Sequence, residues 1–246
     1  MLKDFNADEF DIIIQGGQSN SEGCGLGDAE YPFEPCDDIF MMENNYTIMV
    51  AREKVSGNNI VGNFALSFAD RYLKSGKLKS GRKLLILLTA VGGTGFCDNR
   101  WGLDDDLFLR MIEMTKTAIN LNPENRVVAF LWHQGETDTS TPDRDRHYNN
   151  LKSLVNKTRE VIGNKDVPFI AGDFVRQWKS ENLEACKPII AAIKDVCKDI
   201  NNATFVETSE LQSNDERIGD GDDIHFCREA LYRLGHKYYE AWCQIT

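Results

Sequence analysis

What this sequence lacks narrows it first. Nowhere in its 246 residues is there an apolar run near the roughly 18 residues that a membrane-crossing helix needs. The stretch from Leu84 to Val91 has the length of a buried strand instead. The first residues, Met1 to Phe10, carry acidic side chains and no apolar core of a secretory leader, so a cytoplasmic setting is expected unless a leader has been removed. There is no basic stripe, and the formal charge is −11, which disfavours nucleic acid and anionic membrane as partners. The seven cysteines, at 24, 36, 97, 186, 197, 227 and 243, form no C-x-x-C pair and follow no zinc spacing. Reduced, mostly buried thiols are expected, with a catalytic cysteine as the lesser alternative. No repeat, low-complexity tract or Pro/Ser-rich linker occurs, so residues 1–246 are expected to form one domain.

What is present is a rhythm of strand, glycine-rich turn and helix. Asp11 to Gln15, Leu84 to Val91, Arg126 to His133, Val167 to Phe174 and Thr204 to Thr208 read as five strands. Leu84 to Val91 shows no polar alternation, the mark of a parallel strand covered on both faces. Helices are expected near Val61 to Lys74, around Leu107 to Ala118, and over Arg144 to Ile162, Leu183 to Ile200 and Phe226 to Trp242, from apolar residues at helical spacing. Alternating strands and helices imply a parallel sheet with crossover helices. The expected architecture is an α/β three-layer sandwich on a mainly parallel, five-stranded sheet. Ile39 to Glu43 and Tyr46 to Arg52 read as a small inserted hairpin turning at Asn44-Asn45, a pair that tolerates positive φ.

In such sheets the ligand crevice lies beyond the carboxyl ends of the strands. Four polar clusters fall there: Gly16-Gly17-Gln18-Ser19-Asn20, Gly92-Gly93-Thr94-Gly95, His133-Gln134-Gly135-Glu136, and Asp222-Asp223-Ile224-His225 before the last helix. A serine hydroxyl attacks only with a base to take its proton, and a tight turn aims its N–H at the developing oxyanion. Ser19 fits that role after two glycines; it equally fits a helix N-cap. His225 supplies a base. At i, i+3 in a turn, the Asp222 carboxylate reaches Nδ1–H and fixes the tautomer, with Asp223 as the fallback and capping of the last helix as the structural alternative for Asp222. The other histidines offer less: His147 and His236 sit in helices beside charges and read as solvated or partly packed. Candidate oxyanion donors are the Ser19 N–H, the N–H of Gly92 or Gly93, and the Gln134 amide. Asn20 and Glu136 are placed as supporting residues.

Together, G-Q-S-N, G-G-T, W-H-Q-G-E-T-D at 132 to 138 and D-D-I-H-F at 222 to 226 resemble the SGNH hydrolase superfamily. Within it they are similar to the sialate O-acetylesterase domain family, grouped as carbohydrate esterase family six with acetylxylan esterases. The matched blocks run from Gln15 to Phe226, and their order makes them specific. The resemblance implies a flavodoxin-like three-layer fold and cofactor-free, metal-independent deacetylation. It implies Ser19 as nucleophile, His225 as base and Asp222 as its orienting acid, with Gln134 where the wider superfamily places an asparagine donor. The G-D-S-L wording of the lipolytic branch is absent.

The implied partner is a small-molecule or oligosaccharide acetyl ester, such as acetylated sialic acid or acetylated xylan. Arg100 and Trp101, after the second long strand, are candidate substrate contacts: a guanidinium for a carboxylate and an indole for a sugar face. The competing expectation pairs Arg100 with Asp98 or the Asp104-Asp105-Asp106 run. A lipolytic esterase or thioesterase, and a non-catalytic sugar-binding module on the same fold, are the alternative functions. A metallohydrolase on His133 and Glu136 lacks the second histidine of H-E-x-x-H.

Overall fold

The computed structural model describes residues 2–246. Its central strand, β1 (Glu9–Gly17), sends Phe10, Ile12 and Ile14 to one side and Ile13 to the other, all fully buried. Successive side chains of a strand point to opposite faces, so a strand of this composition needs cover on both. After it come α1 (Ser19–Glu22), β2 (Ile39–Met42), β3 (Ile48–Val50), and a hairpin of β4 (Lys54–Ser56) and β5 (Asn59–Val61). The chain then alternates through α2 (Phe64–Lys74), β6 (Arg82–Leu88), α3 (Asp106–Asn120), β7 (Arg126–His133) and α4 (Arg144–Ile162). It continues through β8 (Phe169–Gly172), α5 (Arg176–Glu181), α6 (Leu183–Asp199), β9 (Ala203–Val206), α7 (Asn214–Ile218) and α8 (Arg228–Ile245).

The main sheet has the order β3-β2-β6-β1-β7-β8-β9, parallel throughout except for β3, which pairs antiparallel to β2 at one edge. α2 and α8 cover one face, and α3, α4 and α6 the other, which gives the expected three-layer α/β sandwich. Among the described residues no helix is long and apolar enough to cross a membrane.

The sheet has seven strands where five were expected. The supposed inserted hairpin supplies the other two, because Ile39–Met42 is buried along its whole length. Phe40 and Met42 enter one core and Ile39 and Met41 the other, which is the pattern of an interior strand. Its turn also differs, with the positive φ of 65° falling on Tyr46 rather than on Asn44-Asn45.

β1 lies between β6 and β7, where the chain stops filling one side of the sheet and begins the other. Loops leaving neighbouring strands there diverge and open a crevice at their carboxyl ends. The opposite end of β1 is fastened by charge. Fully buried Asp11 accepts from Arg82 Nε and Arg126 Nε, both at 2.7 Å, and from the Tyr72 hydroxyl at 3.0 Å. Burial pushes this carboxyl up, but the two guanidinium forks outweigh it and hold it below the ordinary value. The central strands are thus locked at one end and free to carry loops at the other.

α2 and α8 approach so closely that only glycine fits at one crossing. A Cβ on Gly235 would lie 2.0 Å from Ser67 Oγ and 2.1 Å from the Phe64 carbonyl oxygen. Gly235→Ala is therefore expected to lower the unfolding free energy by about 2 kcal/mol or more, the cost of overpacking a rigid contact. Urea titration measures this, and an unchanged midpoint would contradict the packing described.

Candidate active site

β1 ends in a turn that its sequence makes possible. Gly17 has φ +125°, and a Cβ there would lie 2.1 Å from the His133 carbonyl oxygen. The Gln18 N–H donates to that same oxygen at 2.9 Å, so the turn is pinned to the end of β7. Ser19 then opens α1. As a first-turn residue, its N–H has no intrahelical acceptor.

The histidine arrives from the far end of the chain. Its loop is stitched by Asn214 N donating to His225 O at 2.8 Å, Asp215 N to Asp222 O at 2.9 Å, and a Ser213–Glu216 capping box at the start of α7. Asn20 joins this loop to the serine turn. Fully buried, it accepts from Phe226 N at 3.0 Å and donates to Ile224 O at 3.1 Å and to Glu136 Oε1 at 2.8 Å.

The result is a line of three groups. His225 Nε2 stands 2.9 Å from Ser19 Oγ, and His225 Nδ1 stands 2.9 Å from both oxygens of Asp222. The carboxylate contact keeps the proton on Nδ1, so Nε2 presents its lone pair to the serine hydroxyl. Asp222 also accepts from Asn214 Nδ2 at 2.9 Å. Burial raises the Asp222 pKa, but the Asn214 and His225 hydrogen bonds outweigh it and leave the pKa below its ordinary value. Asp222, rather than Asp223, is the carboxylate that faces the ring.

Of the candidate oxyanion donors, Gly92 flanks the serine: a Cβ on it would lie 3.5 Å from Ser19 Cβ. Its N–H donates to Glu22 Oε2 at 2.8 Å. A Cβ on Gly93 would meet nothing within 4 Å. Gln134 is buried, and its amide donates to Asp138 Oδ2 at 2.8 Å and to the Thr94 carbonyl at 3.3 Å. Both hydrogens are engaged, so in this conformation Gln134 offers none to a ligand and instead ties two site loops together.

Two carboxyls in the H-Q-G-E-T-D block behave oppositely. Asp138 accepts from the Phe96 and Cys97 N–H groups at 3.2 and 2.6 Å and from Gln134, with the His147 imidazole 3.2 Å away. Burial pushes it up, yet these neighbours, His147 first, hold its pKa at about 2. His147 is thus fully buried against Asp138, rather than solvated or partly packed as its charged sequence neighbours suggest. Glu136 accepts from Asn20, but burial outweighs this and raises its pKa. Beneath it, burial holds His133 neutral with a pKa of about 3. The Tyr238 hydroxyl donates to Trp132 O at 2.9 Å, which leaves its oxygen to accept His133 Nδ1–H at 3.1 Å. Among the described residues no three His, Cys, Asp or Glu side chains gather as a metal-binding group.

Two expected substrate contacts lie elsewhere. Trp101 is fully buried, edge-on to Trp132 with centroids 5.0 Å apart, and donates to Thr94 Oγ1 at 2.9 Å; it cannot stack on a ligand. The Arg100 guanidinium is taken up by Asp106 through two hydrogen bonds of 2.8 and 3.0 Å.

A hollow beside the Ser19 helix went unread in the sequence. A cavity of about 490 Å³ opens beside α1, lined by Glu22, Met41, Arg52, Lys54, Asn63 and Ala90 among others. Lys54 Nζ lies 3.4 Å from Glu22 Oε1, while among the described residues the exposed Arg52 guanidinium makes one weak contact, to Met49 Sδ at 3.6 Å. The mixed-charge A-R-E-K run carries no motif. Only its placement beside α1 reveals it.

Comparison with known proteins places the chain in a family. The family model described as "Carbohydrate esterase, sialic acid-specific acetylesterase" matches residues 9–244. A curated relative from Escherichia coli (strain K12), "Probable 9-O-acetyl-N-acetylneuraminic acid deacetylase", is 30% identical over 152 residues, 58% of this chain and 46% of that protein. The match thus spans about half the relative's length. Among solved structures, NanS superposes with a TM-score of 0.81 at 19% identity, covering 97% of this chain and 98% of that one. A protein from Arabidopsis thaliana gives 0.76 at 19% identity, covering 96% and 98%. A carbohydrate acetylesterase from Xanthomonas citri gives 0.59 at 15% identity, covering 96% and 56%. At these identities the structures speak to the fold.

The two opposed carboxyls make a paired prediction. A carboxyl with a depressed pKa adds stability that is present above its unfolded value and is lost as pH falls through the folded one. For Asp138 that window runs from about pH 4 down to about 2. Asp138→Asn is expected to cost about 2 kcal/mol at neutral pH, with a difference from wild type that shrinks as acid is added through that window. Glu136→Gln keeps an acceptor for Asn20 and is expected to stay within about 1 kcal/mol of wild type. Denaturant unfolding across pH checks both; a loss in Glu136→Gln as large as that in Asp138→Asn would contradict the contrast between the two carboxyls.

Proposed function

The chain belongs to the carbohydrate esterase family of sialic acid-specific acetylesterases, and on that premise we propose that it removes O-acetyl groups from an acidic sugar by way of an acetyl-Ser19 intermediate. The observation that carries the proposal is the 2.9 Å approach of His225 Nε2 to Ser19 Oγ, with Nδ1 held by Asp222.

In the first step the Ser19 oxygen bonds to the acetyl carbonyl carbon as His225 Nε2 takes the hydroxyl proton. Asp222 stabilises the imidazolium through Nδ1–H. The carbonyl oxygen, now negative, accepts from the Ser19 N–H and the Gly92 N–H; losing one such donor costs about 3 kcal/mol of transition-state stabilisation. Collapse breaks the bond to the sugar oxygen, which leaves with the proton from His225. Water then adds to acetyl-Ser19, giving its proton to the same imidazole, and acetate departs as Ser19 recovers its hydrogen.

The finer reading concerns the sugar. The name of the Escherichia coli relative points to an acetylated neuraminic acid, whose carboxylate calls for a cation. Arg52, on the cavity wall and without a carboxylate partner among the described residues, is the guanidinium we assign to it. Arginine forks onto a carboxylate through two parallel hydrogen bonds. The whole of residues 1–246 is read as one catalytic unit.

Two measurements test this. Ser19→Ala and His225→Ala are each expected to lower kcat on an aryl acetate by about 10³-fold or more, with Asp222→Asn also impaired through the wrong imidazole tautomer. Turnover within ten-fold of wild type in either alanine variant would refute the mechanism. Arg52→Ala is expected to raise KM for acetylated sialate about ten-fold and to erode the preference for it over acetylated xylan. An unchanged preference would remove Arg52 from the role.

A further inference from the structure

The nucleophile's neighbour on α1 contains a feature the mechanism leaves unused. Glu22 closes the short helix that Ser19 opens, and its carboxylate already accepts the Gly92 N–H at 2.8 Å. That N–H has one hydrogen to give. A Cβ on Gly92 would lie 3.3 Å from Glu22 Oε2 and 3.5 Å from Ser19 Cβ, so carboxylate, donor and nucleophile form one tight group. A charged acceptor holds a hydrogen bond about twice as strongly as a neutral one. An ester carbonyl therefore competes poorly for this donor while Glu22 stays in place. Once an oxyanion forms, the two negative charges repel.

The carboxylate has somewhere to go. Its other oxygen lies 3.4 Å from Lys54 Nζ at the start of β4, and the Glu22 and Lys54 side chains are 32% and 64% exposed. The Glu22 main chain is fixed: its N–H donates to Gln18 O at 2.7 Å and its carbonyl accepts from Asn63 Nδ2 at 3.3 Å. Movement thus means rotation of the side chain into the cavity that it lines, not a shift of the helix.

We propose that Glu22 guards the oxyanion donor: it holds the Gly92 N–H in the free protein and yields it to the acyl oxygen only by swinging toward Lys54. The inference rests on the Ser19 esterase reading above. Glu22 then acts as a specificity residue. An acetyl ester whose alcohol carries hydroxyl groups offers the displaced carboxylate new donors, whereas an aryl acetate offers none.

The probe is methylboronic acid. Its boron bonds to Ser19 Oγ, the serine proton passes to His225, and the tetrahedral boronate carries the negative charge that the oxyanion would carry. Glu22→Ala is expected to tighten its Kd about ten-fold, the worth of one charged competitor for a hydrogen bond. Glu22→Gln should tighten it less, because a neutral amide oxygen still competes. Lys54→Met should weaken binding when Glu22 is present and have no effect in Glu22→Ala. The same Glu22 variants should gain kcat/KM on aryl acetate relative to acetylated sugar. Unchanged or weaker boronate binding in both Glu22 variants overturns the guard. Wild-type binding that survives Ser19→Ala instead overturns the esterase reading on which it stands.

Discussion

One buried carboxamide holds the site together. Ser19 follows the first strand and His225 precedes the last helix, yet Asn20 reaches across with both ends of its amide. Its oxygen takes the Phe226 N–H and its nitrogen gives to Ile224 O, so His225 is bracketed by two main-chain hydrogen bonds to the residue beside Ser19. Its remaining hydrogen goes to Glu136, which satisfies the amide completely. Leaving a buried polar group unpaired costs about 1–3 kcal/mol, so a slip of either loop is penalised at three points at once. Everything chemical at the site inherits its alignment from this contact.

The carboxyls around it are sorted by how many donors each one meets. Asp138 faces two backbone N–H groups, an amide and an imidazole and stays charged, which draws the glycine loop after β6 onto the loop after β7. Glu136, fully enclosed, meets the Asn20 amide, and burial outweighs it and raises its pKa. Asp222 lies between these extremes, partly open to solvent, with Asn214 opposing the pull of burial. The negative Asp222 carboxylate beside the imidazole suits the general-base role proposed for His225.

Much of this was legible in the residues. Apolar runs such as Leu84 to Leu88 announced the parallel strands, and the loops after them drew attention to Ser19, Gly92 and His133. The i, i+3 spacing of Asp222 and His225 was enough to expect their contact, because in a turn that spacing leaves few other geometries. Other features depended on tertiary packing. Ile39–Met42 reads equally as an inserted hairpin or an interior strand until its neighbours are known. Trp101 looks available to a sugar until Thr94 and Trp132 enclose it, and Arg100 until Asp106 claims it. Glu22, Arg52 and Lys54 lie in no motif, and their meaning comes only from α1, β2, β3 and β4 meeting around one cavity.

The claim that Asn20 sets the alignment of Ser19 and His225 is tested most directly by the rate at which a fluorophosphonate labels Ser19 in Asn20→Ala, followed by intact mass. A misplacement of about 1 Å costs on the order of 100-fold in reactivity. The account predicts labelling slowed by about that factor in a variant whose near-ultraviolet circular dichroism shows a retained fold. Labelling as fast as in the unsubstituted protein would contradict it.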